Sequence, residues 1–244
     1  MAGRRASRET ITRDQWAARI AAAERPDTGV PPRTPISAAR IVAAALDVIA
    51  AEGFEDLTMR RVAAALGTGP ASLYAHVRNK SELGDLLIDE LMSRVQVPDA
   101  DPGQWRAQFL DVCSQVRDQL LAYPGVAQAA LAAAPSGLSL LRVEEGLLSI
   151  LLTGGIPPQP AAWASDAAFL YITGYCLEAG ITRAHDSDID GRIIDRAEVR
   201  NRLRMLPAHL FPNTVAHADE LTAGDGHDRF EFTLATLLEG LAAR

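Results

Sequence analysis

The stretch between Thr58 and Lys80 carries side chains that suit contacts with a polyanion. Thr58 and Tyr74 have hydroxyl groups that can donate to phosphate oxygens. Lys80, the only lysine in the sequence, stands where a helix is predicted to begin and where free N–H groups attract anions. Arg60 can bind a guanine edge through two hydrogen bonds, a contact worth roughly 1–3 kcal/mol of discrimination between bases. Arg60 and Arg61 also fit an ordinary solvated helix face.

Two short helices joined by a tight turn are predicted to position these side chains. The first is capped by Thr58 and ended by Gly67. The second begins at Pro70, where the missing N–H of proline costs nothing, and runs to His76. The residues predicted to lie between the two helices are small or apolar: Val62, Ala63, Leu66 and Leu73. This arrangement is typical of a helix-turn-helix whose second helix enters a major groove about 12 Å wide, although a plain helical hairpin has the same spacing.

Helical periodicity extends over most of the sequence, and no run of alternating β-branched residues predicts a strand. We therefore expect an all-α fold. One helix is predicted between Ser37 as its N-cap and Gly53, and another begins near Asn79. Further helices are predicted over about 104–122, from Leu138 to a stop at Gly154, over 161–183 and over 230–241. The face assigned to the second of these comprises Leu138, Leu141, Leu148 and Leu151.

The composition of the 244-residue chain, 48% hydrophobic and 23% charged, is ordinary for a globular protein. Its net charge is −7, but residues 1–80 carry +4 and residues 81–244 carry −11, which suits a small nucleic-acid reader joined to a larger body. Two distant cysteines, Cys113 and Cys176, cannot build a disulfide framework or a zinc cluster. Charged residues interrupt the apolar run that a signal peptide needs. Prolines and glycines interrupt the longest uncharged stretch, 119–141. We expect a cytoplasmic protein with no membrane partner.

Residues 1–35 form an Arg-rich lead that ends in a proline-rich linker. Its composition favours a mostly disordered tail. The alternative is a basic arm that follows phosphates or enters a minor groove through Arg4, Arg5 and Arg8.

The segment from Leu57 to Leu83 resembles the DNA-binding signature of the tetracycline-repressor (TetR) family of transcriptional regulators. It reads LTMRRVAAALGTGPASLYAHVRNKSEL, and its specific part begins at Leu73 as Leu-Tyr-x-His-Val-x-Asn-Lys-x-x-Leu. The resemblance implies an N-terminal three-helix DNA-binding domain, a fourth connecting helix, and a larger helical domain for dimerisation and effector binding. It also implies a homodimer on a palindromic operator in double-stranded DNA.

The same resemblance assigns DNA contacts to individual residues. Arg60 and Ser72 match positions that contact bases in the family. The matching positions at or near the DNA are Thr58, Tyr74, His76 and Lys80. The second helix begins with Gly, Pro and Ala at 69–71, which have almost no side chain to read bases with. Base reading is therefore expected from Arg60, Thr68 and Ser72, and from the shape of the DNA.

A mostly apolar small-molecule site is expected in the larger domain, with one or two hydrogen bonds to fix the effector. Its candidate lining residues are Trp105, Phe109, Cys113, Val116, Leu141, Leu148 and Tyr175. Each of these residues taken singly also fits a packed core. The segments 174–178 and 229–241 resemble the dimerisation helices of the family, so we expect the long helix and the last helix to pair with their symmetry mates.

Tetracycline with magnesium is not expected as the effector. In a tetracycline repressor a histidine on the sixth helix holds the magnesium of the drug, and the corresponding region near Ala129 and Ala130 has no histidine. Gln96 and Val112 stand where the resemblance leads us to expect a His and an Asn for the drug. Glu178 stands where the resemblance leads us to expect a carboxylate that does not contact the drug directly.

No metal site, cofactor or enzyme activity is expected. The polar segment 185–190, with His209, His217 and His227 further along the chain, has irregular spacings, and we interpret it as a solvated loop. A phosphate-binding glycine loop, a nucleophile elbow and a His-Glu-x-x-His motif are all absent from the sequence.

These features predict a ligand-responsive DNA-binding regulator, and we interpret it as a repressor that an unidentified small effector releases from DNA. Activation instead of repression is also compatible with the sequence, because the same docking on DNA serves both. We divide the chain into the lead and linker (1–35), the DNA-binding domain (36–82), and the effector-binding and dimerisation domain (83–244). The alternative is an all-α small-molecule carrier or enzyme whose N-terminal hairpin is only structural.

Overall fold

The computed structural model describes residues 36–132, 137–186, 196–224 and 227–242 together with Arg13 and Ala17, and only the backbone of Ala132 and of residues 181–186. These residues contain no strand, and the all-α prediction is confirmed. The helices of the continuous ranges are α1 (Ala38–Glu52), α2 (Met59–Ala65), α3 (Pro70–Leu73), α4 (Lys80–Ser93), α5 (Trp105–Leu121), α6 (Ala127–Ala132), α7 (Leu138–Thr153), α8 (Pro158–Asp186), α9 (Arg196–Arg204), α10 (Pro212–Ala216), α11 (Ala218–Thr222) and α12 (Asp228–Ala242). Apart from Arg13 and Ala17, the predicted lead lies outside the described residues.

Predicted caps begin and end α1. The hydroxyl of Ser37 accepts the N–H of Arg40 at 3.3 Å. Gly53 ends the helix with a φ of 87°, a conformation that costs glycine little, and its N–H donates to the carbonyl of Ile49 at 2.8 Å. Phe54, directly after the turn, is buried in the core.

The turn between α2 and α3 has the hydrogen bonds of a Schellman motif. The N–H of Thr68 donates to the carbonyl of Ala63 at 2.9 Å, and the N–H of Gly67 donates to that of Ala64 at 3.0 Å. Gly67 has a φ of 65°, and Pro70 is the first residue of α3 as predicted. The predicted helix-turn-helix is therefore present.

The second helix of this pair is shorter than predicted, because α3 ends at Leu73 and not at His76. The carbonyl of Leu73 accepts the N–H groups of both His76 and Val77 at 2.9 Å, so the chain tightens into a turn. Leu73 and Val77 are both fully buried. The tight turn brings Val77 into the core and leaves Tyr74 and His76 exposed.

The larger domain is built around α5, which packs against α4, α7, α8 and α12. Its boundaries agree with the prediction, and Phe109, Val112 and Val116 are fully buried on its inner side. The long helix α8 presents Ala161, Ala164 and Ala168 to the core, and small side chains allow its backbone to lie close to the neighbouring helices.

The face assigned to α7 from sequence is wrong for most of its residues. Its buried residues include Leu140, Val143, Leu147 and Ile150, whereas Leu138 is exposed and Leu141 and Leu148 are only half-buried. Of the predicted face, only Leu151 is fully buried. Leucines lie on several sides of this helix, so periodicity alone does not select one. Gly146 fixes the inner side, since a side chain there would overlap Val97.

α4 and α7 cap each other. Asp89 on α4 accepts the N–H groups of Ser139 and Leu140 at 2.7 and 3.2 Å, at the first turn of α7. Arg142 on α7 donates from Nη2 to the carbonyls of Met92 and Val95, at 3.0 and 2.8 Å, where α4 ends. These four hydrogen bonds fix the last turns of α4 to the first turns of α7.

Three short helices between α8 and α12 were not predicted. α9, α10 and α11 contact one another. Both oxygens of Asp219 accept from Arg204 Nη2 at 2.7 Å, and Arg200 Nε donates to the hydroxyl of Thr222 at 3.0 Å. Arginine side chains hold α9 and α11 together, and few residues of the three short helices are buried. The sequence of this region therefore lacks the regular spacing of apolar residues from which a helix is predicted.

The structure describes only part of the segment 185–190, which we predicted to be a solvated loop. His185 and Asp186 still belong to α8, so the helix runs beyond its predicted end at Arg183, and residues 187–190 lie outside the described ranges. Within the described part of the chain, no helix is both long enough and apolar enough to cross a membrane.

We predict that Asp89→Ala lowers the free energy of unfolding by about 1–2 kcal/mol, because two N–H groups at the start of α7 lose their acceptor. Urea unfolding followed by circular dichroism measures this change. Asp47→Ala, at an exposed position of α1, is the matched control and should leave the unfolding midpoint almost unchanged. Equal effects of the two substitutions would contradict the capping role.

Candidate nucleic-acid interface

Six of the seven residues predicted to contact DNA are exposed, and Thr68 is half-buried. The exposed ones are Thr58, Arg60, Ser72, Tyr74, His76 and Lys80. Tyr74 leaves 52% of its surface exposed although it directly follows the fully buried Leu73. One side of α3 is therefore packed against the core, and its other side is exposed, as contact with a groove of DNA requires.

The two neighbouring arginines of α2 differ in their contacts. Arg61 forms ion pairs with Glu52 and with Asp56, the latter at 3.9 Å. Arg60 is exposed, and no partner for its guanidinium occurs within the described residues. Of the pair, Arg60 thus has the guanidinium that is available for a base.

Hydroxyl groups in the helix-turn-helix also hold the backbone. Thr58 Oγ1 accepts the N–H of Arg61 at 3.2 Å and so caps α2 as predicted. An accepting hydroxyl still has its own O–H to donate, so capping leaves Thr58 a donor for a phosphate. Thr68 donates to the hydroxyl of Ser72 at 3.1 Å, which joins the turn to α3.

Lys80 is tied to the loop that follows α1. Its Nζ donates to the carbonyls of Phe54 and Glu55 at 3.3 and 3.5 Å and lies 4.9 Å from the centre of the Phe54 ring. An ammonium has three N–H groups, so these two bonds leave one for an anion. Asn79 caps α4 by accepting the N–H of Glu82 at 2.8 Å.

A backbone hydrogen bond joins the loop between α1 and α2, just before the helix-turn-helix, to the larger domain. The N–H of Phe54 donates to the carbonyl of Pro124, in the turn between α5 and α6, at 2.9 Å. Gly125 follows with a φ of 79°, and a Cβ there would lie 3.2 Å from that of Phe54. The glycine allows the two segments to approach this closely.

The seven residues predicted to line an effector site lie in different parts of the larger domain. Four are buried on the inner side of α5: Trp105, Phe109, Cys113 and Val116. Leu141 and Leu148 line a groove of about 370 Å³ between α7 and α8. Tyr175, on α8, does not line that groove. Which of the seven meet an effector stays a prediction.

Carboxylates accompany the apolar wall of this groove. Glu144, Glu145 and Asp166 line it beside Leu148 and Phe169. Partial burial, and secondarily the nearby carboxylate of Asp166, raise the pKa of Glu144 above its ordinary value. The groove is therefore less apolar than the predicted effector site.

Tyr175 belongs to an aromatic cluster that joins α8 to α12. Its ring centre lies 5.1 Å from that of Phe230 and 6.3 Å from that of Tyr171. Its hydroxyl is 2.8 Å from Nδ1 of His227. Burial raises the pKa of the Tyr175 phenol, an effect that the nearby guanidinium groups of Arg117 and Arg229 partly oppose.

Arg117 was missed from sequence. It lies four residues after Cys113 and one after Val116, on the side of α5 that those residues bury, and is itself buried. A charged residue at a core position of an apolar helix face was the signal that could have found it. Among the described residues, no group of three His, Cys, Asp or Glu side chains is placed to hold a metal ion.

Two family models match the chain. Residues 41–85 match the one described as bacterial regulatory proteins, tetR family, and residues 97–244 match the one described as Tetracyclin repressor-like, C-terminal domain. The chain belongs to the tetR family. The tetR-family models cover most of both predicted domains, and the resemblance inferred from Leu57–Leu83 is confirmed.

Relatives of this tetR-family chain include the HTH-type transcriptional repressor DrrR1 of Streptomyces coeruleorubidus, which is 32% identical over 228 residues, 89% of this chain and 80% of the relative. The crystal structure of apo ActR from Streptomyces coelicolor matches with a TM-score of 0.78 at 34% identity, over 87% of this chain and 97% of that chain. ActR in complex with actinorhodin matches with a TM-score of 0.77 at 35% identity, over 86% and 97%. The similarity therefore extends through both domains.

We predict that neither cysteine reacts with DTNB in the native protein at about pH 8. Both thiols are buried, and burial raises the pKa of Cys113 well above its ordinary value, so very little reactive thiolate is present. The two thiols of the chain should react once guanidinium chloride unfolds it. Native labelling of Cys113, located by peptide mapping, would show instead that the inner side of α5 is open to solvent.

Proposed function

We propose that this tetR-family protein is a homodimeric repressor that binds a palindromic operator and leaves it when a small, mostly apolar effector binds. In this proposal residues 36–82 bind DNA, and residues 83–244 bind the effector and dimerise. The observation that supports it most directly is a helix-turn-helix with an exposed side of α3 and with an Arg60 guanidinium that has no partner among the described residues. The loop before this motif is joined to the larger domain by the bond from Phe54 to Pro124.

Side chains of both short helices would contact the operator. Arg60 and Ser72, with Thr68, would read base edges, and the residues nearer the phosphates would fix the orientation of the protein. Those residues are Thr58, Tyr74, His76 and Lys80. Because 69–71 offer almost no side chain, sequence-dependent DNA shape would supply part of the specificity.

A second copy of the chain would cover the outer side of α8. Trp163 is 68% exposed and Leu170 is 53% exposed on this helix, and Ala167 and Gly174 are exposed on the same side. Trp163 also borders an apolar groove of about 440 Å³ between α8 and α12. An apolar surface of this kind is unusual on a monomer. Pairing of α8 and α12 with their symmetry mates would bury it in a four-helix interface.

The dimer would hold two recognition helices roughly 34–36 Å apart, one turn of DNA. An effector releases the operator only if it binds better to a conformation with a different spacing. The alternative, an all-α carrier or enzyme with a merely structural hairpin, is not favoured by membership in a family of regulators. We propose that the protein has no catalytic role.

Selection of bound oligonucleotides from a random pool tests this function. The expected result is a palindrome whose half-sites are one helical turn apart, with retention that falls as salt rises. Enrichment of no sequence, together with retention that does not depend on salt, would refute the proposal.

We predict that Arg60→Ala reduces the preference for one base pair of each half-site by roughly 1–3 kcal/mol, because the bidentate contact is lost. Fluorescence anisotropy with the selected operator and its single-base variants measures the preference. Arg61→Ala is the matched control and should leave base preference unchanged, since Arg61 is paired with Glu52 and Asp56. An unchanged preference in Arg60→Ala would exclude it as the base-reading residue.

We also predict that Leu170→Glu converts the dimer into a monomer, because it places two like charges in a buried apolar interface. Sedimentation velocity measures the mass, and circular dichroism checks the fold. Leu152→Glu is the control, since Leu152 is 41% exposed but lies on α7, outside the proposed interface. A dimer that survives Leu170→Glu and dissociates in Leu152→Glu would place the interface elsewhere.

A further inference from the structure

Arg117 brings a full charge into the core of the larger domain. Its side chain is only 7% exposed. The other two buried polar residues in the described ranges are Thr173 and Thr222, and each donates to a carbonyl of its own helix at 2.8 Å. A single local hydrogen bond does not satisfy Arg117, because a guanidinium carries five N–H groups and accepts none.

The contacts of this guanidinium leave part of it unused. Nε donates to Oδ1 of Asp118 at 2.8 Å, and the carboxylate of Asp118 is itself 59% exposed. Cζ lies 4.7 Å from the centre of the Phe230 ring. Nη1 is buried and has no hydrogen-bond partner; no other side-chain nitrogen or oxygen in the described ranges combines these two properties. A buried charged donor without a partner is costly, so an acceptor that reached Nη1 would gain a strong interaction.

Aromatic rings lie next to the guanidinium of Arg117. Phe230 is fully buried against the guanidinium, and Tyr171 stacks on Phe230 at 5.8 Å between ring centres, with an angle of 25°. Tyr175 and His227 are only half-buried, and they contact each other through the hydroxyl and Nδ1. These two side chains therefore form the outer layer over Phe230 and Arg117.

The second arginine of this cluster is already neutralised. Arg229 pairs with Glu178, with Nη2 2.5 Å from Oε2, and its guanidinium lies 5.6 Å from the Tyr175 ring. Because Glu178 matches this surface charge, Arg117 is the guanidinium of the cluster with an unmatched buried N–H.

The geometry points to Arg117 as the residue that anchors the effector. Its Nη1 donates to the carboxylate or ionised phenol of a planar aromatic compound. On binding, this compound separates Tyr175 from His227 and packs against Phe230 and Tyr171. This inference rests on the proposed ligand-responsive function and specifies the chemistry of its effector. An aromatic body suits the rings, and an anion in a buried site is stabilised by a charge-assisted hydrogen bond of the kind that the buried guanidinium of Arg117 can donate.

A matched pair of probes tests the inference on the full chain: 2-naphthoate and its uncharged counterpart 2-naphthamide. Calorimetric titration of the wild type should show naphthoate binding at least about tenfold more tightly than naphthamide, as expected for a charge-assisted hydrogen bond. In Arg117→Met, which keeps the length and the apolar contacts, the two affinities should become equal. Arg229→Gln, on the other side of the same cluster, should retain the preference for naphthoate.

Thermal melting of each variant confirms that it is folded. Should Arg117→Met be unfolded, Arg117→Gln makes the same comparison, and Arg117→Lys should restore part of the preference because it keeps the charge without the fork. The inference is overturned if naphthoate does not bind the wild type, if acid and amide bind equally, or if a folded Met or Gln variant keeps the preference.

Binding to the selected operator, measured in parallel without probe, distinguishes a failure of the proposed function from a failure of the inference about Arg117. Wild type and Arg117→Met should bind it equally well, since Arg117 is remote in sequence from the DNA-binding domain. A wild type that does not bind DNA refutes the proposed function. DNA binding with a probe preference that does not depend on Arg117 refutes only the anchor.

Discussion

Helix α4 is fixed at both ends, and this constraint links the helix-turn-helix to the larger domain. At its start, Lys80 holds the carbonyls of Phe54 and Glu55 beside the helix-turn-helix. At its other end, Arg142 donates to the carbonyls of Met92 and Val95, in the last turn and just after it, while Asp89 caps α7 in return. An α-helix of 14 residues is about 21 Å long and nearly rigid, so a displacement of α7 moves the DNA-binding helices with it.

A second connection runs through the turn between α5 and α6. The bond from Phe54 to Pro124 and the close approach of Gly125 place this turn directly against the loop that Lys80 also holds. The loop after α1 is thus contacted by both α4 and the α5–α6 turn. An effector that favours a different arrangement of α5 and α7 would act on the same loop by two routes, and its differential affinity sets how far the equilibrium shifts.

Local rules predict the DNA-binding part of the chain well, because short-range interactions determine it. Ser37, Thr58 and Gly53 act as caps irrespective of what surrounds them. The inner face of α7 and the helices α9–α11 depend instead on tertiary packing, which no local period encodes. The difference between Arg60 and Arg61 is of the same kind, since it depends on Glu52, a residue of the preceding helix.

The effector domain shows the limit of apolar patterns most clearly. Searching a leucine-rich sequence for apolar residues finds the core, and Phe109, Cys113 and Val116 are indeed fully buried. A buried ion pair adds little stability compared with apolar residues of the same size. Stability therefore gives no reason for a guanidinium next to Val116 whose buried Nη1 has no hydrogen-bond partner among the described residues and whose partner carboxylate, Asp118, is largely exposed. In such a domain, the polar residue that interrupts an apolar face is more informative about ligand chemistry than the apolar residues around it.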